Sequence, residues 1–265
     1  MSKDSTKKTL LVALGVCFVA SILVSTAAVE LKPIQELNKE LDLRKNILSA
    51  GDLYKDGIDI NNIFKEKVSA QIIDLETGDV IPESKYDDVL NIENFNVEII
   101  ASSPKWGKVI PSSDDIAGIK KMPKVMAIYT VKDDSNRVEK YILPIYGKGL
   151  WSTLYGFIAL NKDFETVEGF TFYQHGETPG LGGEVDNPKW KSSWIGKQIF
   201  DQSGNLKIEV IKGIVDRDSD DLKYQVDGLS GATLTTRGVN NLVRFWLSEK
   251  GYGPFMNKLK GENNG

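Results

Sequence analysis

From Thr9 to Val29 the chain carries no charged residue. At about 1.5 Å per helical residue the run is long enough to cross the roughly 30 Å hydrocarbon core of a bilayer. It also exceeds the roughly 7–15 apolar residues of a secretory signal. An uncleaved transmembrane helix is therefore expected over 9–29, in preference to cleavage at Ser25-Thr26-Ala27. Cys17 sits in mid-run without the flanks of a lipoprotein attachment site and reads as a small lipid-facing or helix-facing residue. Lys3, Lys7 and Lys8 precede the run, whereas Glu30 and a single nearby lysine, Lys32, follow it. The positive-inside rule then predicts a cytoplasmic N-terminus over 1–8 and a domain over 30–265 on the far side. In a bacterium that is a single-pass inner-membrane protein with a periplasmic domain and membrane lipid as one partner.

The remainder has ordinary globular composition. The 265 residues are 41% hydrophobic and 26% charged, and no internal repeat or low-complexity linker divides them. A formal net charge of −4 argues against nucleic acid, which wants a basic face. One cysteine allows no internal disulfide, and with one histidine it leaves none of the usual zinc ligand sets, so no metal is expected.

Leu31, Ile34, Leu37, Leu41 and Ile47-Leu48, interspersed with charges, predict an amphipathic helix over 31–50. A short helix is predicted over 59–68, and a strand over 70–75 before the Glu76-Thr77-Gly78-Asp79 turn. Residues 87–123, rich in Asn, Ser, Asp and Pro, predict loops and short elements. Strand patterns return at Val125-Ala127-Tyr129-Val131 and over 140–146, joined as a hairpin through Lys132-Asp133-Asp134. They recur over 154–160 and 167–173, then over 208–215 and 224–226. Strands grouped together with helices at the ends predict an α+β fold, an antiparallel sheet with flanking helices behind the N-terminal transmembrane helix.

Near the C-terminus, Asp227-Gly228-Leu229-Ser230-Gly231-Ala232-Thr233-Leu234-Thr235-Thr236 crowds four hydroxyl residues into a glycine-punctuated turn. Val239, Leu242, Val243, Trp246 and Leu247 follow at helical spacings, so the turn leads into a helix. Two readings stand side by side. The Ser and Thr hydroxyls cap the helix by accepting from its orphan N–H groups. Alternatively, the same N–H groups, the positive end of the helix dipole and two glycines that admit close approach form a phosphate site.

Ser230-Gly231-Ala232-Thr233, preceded by Asp227 and followed by Leu234-Thr235, resembles the flavinylation motif of a covalent FMN-binding family. That family comprises the NqrC subunits of Na+-translocating NADH:quinone reductases and the G subunits of Rnf complexes. Further stretches look like the family in the same order: the N-terminal anchor, Gly149-Leu150-Trp151-Ser152, His175-Gly176-Glu177-Thr178-Pro179-Gly180-Leu181-Gly182, and Gly251-Tyr252-Gly253-Pro254-Phe255. The resemblance covers nearly the whole chain, shows no departure at a motif position and is to the NqrC branch more than to flavin-binding domains at large.

It implies FMN joined through its phosphate to the Thr233 hydroxyl by a flavin transferase. Around the attachment it places Ser230, Gly231, Ala232, Leu234, Thr235 and Asp227. Around the flavin it places Leu150, Trp151, Ser152, His175, Glu177, Thr178, Gly180 and Leu181. Glu177 or Thr178 would meet the ribityl hydroxyls, loop amides the pyrimidine edge, and Leu150-Trp151 the ring. The implied role is an electron carrier among the other subunits of a membrane NADH:quinone reductase, with no catalytic side chain of its own, because the cofactor performs the redox chemistry.

Each stretch also has a plainer reading. The glycines and proline of 175–184 demand special backbone angles, as in a structural turn with solvent-facing Glu177 and Glu184. His175 is either a proton relay or a hydrogen-bonder that fixes its loop. Leu150-Trp151 is also a typical core pair. A hydrolase is not supported, since Ala232 stands where G-x-S-x-G needs glycine and His175 is the one available base. An Rnf-type carrier and a flavin-bearing scaffold that exchanges no electrons are the other readings.

Overall fold

The computed structural model describes residues 5–263; Met1–Asp4, including the Lys3 of the charge asymmetry, and Asn264–Gly265 lie outside the described residues. The chain divides into two units, residues 1–43 and 44–265. In the first, every described residue after Ser5 belongs to one helix, α1 (Thr6–Ala50), whose last turns fall in the second unit. The side chains of its apolar window are all exposed, as a helix bathed in lipid requires. The predicted span and amphipathic helix are thus a single element. Pro33 lies inside it and removes one i→i−4 hydrogen bond.

The second unit is built on a five-stranded antiparallel sheet. Asp59 caps α2 (Ile60–Lys67) by accepting from the Asn62 amide, and the chain turns directly into β1 (Val68–Asp74). The expected irregular region holds α3 (Val97–Ser102) and a small ribbon of β2 (Gly107–Val109) and β3 (Lys121–Pro123). β4 (Val125–Lys132) and β5 (Val138–Lys148) form the predicted hairpin, where the Asp133 carboxylate accepts from the Ser135 and Arg137 amides. β6 (Thr153–Asn161) and β7 (Val167–Gln174) complete the order β1-β4-β5-β6-β7.

Alternation along β4 sends Met126 and Ile128 to one face and Val125, Ala127 and Tyr129 to the other. Both faces are covered, so nearly the whole strand is buried. On the first face lie α5 (Thr233–Leu247) and α6 (Gly253–Asn263). Val239, Leu242, Val243 and Trp246 of α5 pack there with Leu143 and Ile145 of β5, and Phe255 of α6 joins them. On the second face Val125 and Ile72 pack with Ile100 of α3, and Tyr129 meets Phe64 of α2 edge-on. The Trp246 Nε1–H donates to the Tyr146 carbonyl at 2.7 Å and the Tyr252 hydroxyl to the Pro144 carbonyl at 2.6 Å, which fixes α5 and its C-terminal turn along β5.

The strand predicted over 208–215 is cut to β8 (Glu209–Val210), paired in parallel with β9 (Gln225–Val226). Its continuation fails at Gly213, whose φ of +94° turns the chain out of the extended region. A short α4 (Pro188–Ser192), capped by Asn187, packs beside β7.

Candidate functional site

The Asp227–Thr236 turn is held by its flanks. The Asp227 carboxylate accepts from the Val215 amide at 2.7 Å and from the Arg217 guanidinium at 3.0 Å, while its carbonyl accepts from Trp190 Nε1 at 2.8 Å. The Leu229 amide donates to Thr236 Oγ1 at 3.0 Å, and Gly231 adopts a φ of +71° that a side chain would resist.

Helix α5 then begins without a side-chain cap. Ala232 occupies the N-cap position, so the expectation that a Ser or Thr hydroxyl caps this helix is not met. The hydroxyls do other things. Thr235 and Thr236 are buried and hydrogen-bonded, whereas Ser230 and Thr233 are exposed. Thr233 is the first helical residue, and the amides of Thr233, Leu234 and Thr235 have no acceptor in the chain among the described residues. An exposed hydroxyl beside uncommitted N–H groups at the positive end of a 15-residue helix is a donor set that suits a phosphate.

Two distant stretches join this turn through Glu177, which is 5% exposed. Its Oε1 accepts from the Trp151 amide at 3.0 Å and the Ser152 amide at 3.2 Å; its Oε2 accepts from the Leu150 amide at 3.2 Å and the Thr235 hydroxyl at 2.6 Å. Burial alone would raise this carboxyl, but the Thr235 hydroxyl and the three amides outweigh it and hold the group below its ordinary value of 4.5. The Gly176 amide donates to Ser152 Oγ at 2.6 Å, a second stitch between the same loops.

His175 is fixed at both ring nitrogens. Nδ1 accepts from the Glu177 amide at 3.2 Å and Nε2 faces Asp186 Oδ2 at 2.7 Å, which places the ring proton on Nε2. This is the geometry of a residue that fixes its loop. Glu177 is likewise no solvent-facing turn residue, contrary to the plainer reading of its stretch, while Thr178 and Gly180 are exposed.

Leu150 and Trp151 do not belong to the core. Trp151 is 68% exposed, and Leu150, Leu181 and Leu234 are also open to solvent. An apolar side chain from each of the three converging stretches is thus uncovered, which fits a flat aromatic ligand. Leu181 leans on the turn, its Cδ2 lying 3.0 Å from where a Cβ on Gly231 would be.

Several contacts that build the site were not among the residues expected there. Thr236, Trp190 and Arg217 hold the turn, and Gly238 lets α5 approach β5, since a Cβ there would fall 2.4 Å from the Lys148 carbonyl oxygen. A glycine inside an otherwise helical pattern is the signal that marks such an approach.

Comparison with known proteins follows the same boundaries. The FMN-binding domain family matches residues 149–248, a span containing all three stretches. The C subunit of the Na+-translocating NADH-quinone reductase of Pseudomonas aeruginosa is 45% identical over 98% of this chain and 99% of its own. That of Haemophilus ducreyi is 39% identical over 98% and 96%. Among solved structures, Shewanella oneidensis NqrC superposes with a TM-score of 0.76 at 36% identity, covering 85% of this chain and 99% of that one. The corresponding protein from Parabacteroides distasonis does so with a TM-score of 0.64 at 27% identity, covering 85% and 96%.

Proposed function

Because the chain belongs to the NqrC family of Na+-translocating NADH-quinone reductase subunits, we propose that it holds FMN as a phosphoester on Thr233 and relays electrons between its partner subunits. Membership makes it a flavoprotein component of a membrane complex, and the enzymatic activity, NADH-dependent quinone reduction with Na+ translocation, belongs to the assembly. Full-length correspondence to NqrC favours this over an Rnf-type carrier.

The observation that carries the reading is the division of hydroxyls at the α5 N-terminus. Thr233 is exposed, next to free amides, and accessible to a flavin transferase, whereas Thr235 and Thr236 are buried and engaged. The Thr233 Oγ1 would form the ester by displacing the leaving group from an activated flavin phosphate supplied by the flavin transferase, its proton departing with that group, so that the chain would gain FMN less one water. The helix dipole favours the resulting phosphodiester anion by about 0.3–1 kcal/mol, enough to orient it but not to retain it, so retention falls to the covalent bond.

FMN supplies the redox chemistry when bound. The chain's residues position it. The α5 amides and Thr233 hold the phosphate; Leu150, Trp151, Leu181 and Leu234 offer apolar cover; Thr178 and the 176–182 backbone offer polar contacts. Ser230, Gly231 and Ala232 give the turn its shape, and Asp227 anchors it.

The domain from residue 30 onward is assigned to the periplasm, with residues 1–8 in the cytoplasm, on the charge asymmetry around the span. Covalent retention suits that compartment, where lost FMN has no ready replacement.

Substitution at the attachment residue tests the proposal. In cells that also express a flavin transferase, Thr233→Ala should abolish SDS-resistant flavin fluorescence of the chain. Fluorescence equal to wild type would refute it. A redox titration of the loaded protein separates the carrier from a scaffold, which would show no reversible one- or two-electron change in the working range of the complex.

A further inference from the structure

We infer that Glu177 is a positioning residue: its buried carboxylate ties the 150–152 loop and its own loop to α5 two residues beyond Thr233, so that one group registers the flavin-facing loops against the attachment point. The inference rests on the FMN reading above.

The carboxylate joins segments remote in sequence, 25–27 residues away on one side and 58 on the other. Three successive amides, of Leu150, Trp151 and Ser152, converge on it as a nest for an anion. With the Thr235 hydroxyl they occupy roughly the four lone-pair positions that a carboxylate offers. Little capacity is left for a ribityl hydroxyl, so Glu177 acts on the cofactor through the loops it holds.

Space around it is reserved. A Cβ at Gly149 would lie 2.6 Å from Oε1, and one at Gly182 would lie 2.8 Å from Oε2 and 2.5 Å from Thr235 Oγ1. The glycines of two expected motifs thus make room for the carboxylate and its partner hydroxyl. The charge itself is required, since a glutamine has one acceptor oxygen and would turn an NH2 toward groups that already donate.

The test uses the full chain as wild type, Glu177→Gln, Thr235→Val and Thr235→Ser, each prepared with and without a flavin transferase. Without flavin, hydrogen exchange is read at the Leu150, Trp151 and Ser152 amides; with flavin, visible circular dichroism is read per attached FMN. Glu177→Gln and Thr235→Val should speed exchange at these amides about tenfold or more while β5 amides keep their protection. Both should lose most of the flavin dichroism, and Thr235→Ser should restore both signals.

Wild-type exchange and dichroism in Glu177→Gln would overturn the inference, as would a Thr235→Ser variant no better than Thr235→Val. The intact mass of the wild-type chain separates these failures from failure of the underlying reading. A wild-type chain without FMN would refute both.

Discussion

Of the four hydroxyls in the Asp227–Thr236 turn, two are engaged inside the fold and two face solvent. Sequence spacing leaves a cap and a phosphate site open for these hydroxyls, because a helix start is legible but the direction of each side chain depends on the loops that pack against it. Thr235→Ala and Thr236→Ala should each destabilise the domain by about 1–3 kcal/mol, the cost of leaving a buried partner unsatisfied. Both should retain at least part of their SDS-resistant flavin, since neither hydroxyl forms the ester. Chemical denaturation and in-gel fluorescence check the two halves of that expectation. Glu177 adds a pH dependence. Its carboxyl is held below 4.5 in the folded chain, so its stabilising contribution is present above that value and is lost as the pH falls through the lower folded value. Replacing it by Gln should flatten the acid limb of the stability curve by up to about 1.4 kcal/mol per pH unit and leave the neutral region without that slope change.

The helix that carries Thr233 is oriented by its buried side. Trp246 is fully buried, lies against the Tyr146 and Tyr252 rings, and donates to the Tyr146 carbonyl. Trp246→Ala should cost about 3–5 kcal/mol in urea denaturation through the cavity it leaves. Gly238→Ala sets two effects against each other. Alanine is the better helix former by about 1 kcal/mol, but its Cβ would fall 2.4 Å from the Lys148 carbonyl oxygen. The collision is with backbone, so the variant should be destabilised by about 1–3 kcal/mol. At this scale much of the fold was legible. The β4–β5 hairpin, β6, β7 and α5 follow from periodicity and charged turns. Ile208–Val215 was legible only at Glu209–Val210, because beyond that pair Gly213 and the bond of the Val215 amide to Asp227 direct a strand-like apolar pattern out of the sheet. The Glu177 clamp was also hidden, since no local pattern reports a contact across 58 residues.

For the whole molecule, α1 is, among the described residues, the one helix long and apolar enough to cross a membrane, and the residues that match the FMN-binding family follow it in sequence. A periplasm-dependent reporter fused after Gly265 should be active, and the mature chain should begin at Met1 or Ser2; an N-terminus near Ala28 would contradict the anchor. The three stretches of the site were recognisable one by one, but their convergence is a property of the sheet, which brings the end of β5, the end of β7 and the start of α5 together. If this convergence serves FMN bound covalently at Thr233, peptide mass spectrometry of the wild-type chain co-expressed with a flavin transferase should find the cofactor there. The fragment containing Thr233 should carry a mass increase of FMN less one water, localised to that residue. The same increase on Ser230 or Thr235, or no increase on any fragment, would contradict it.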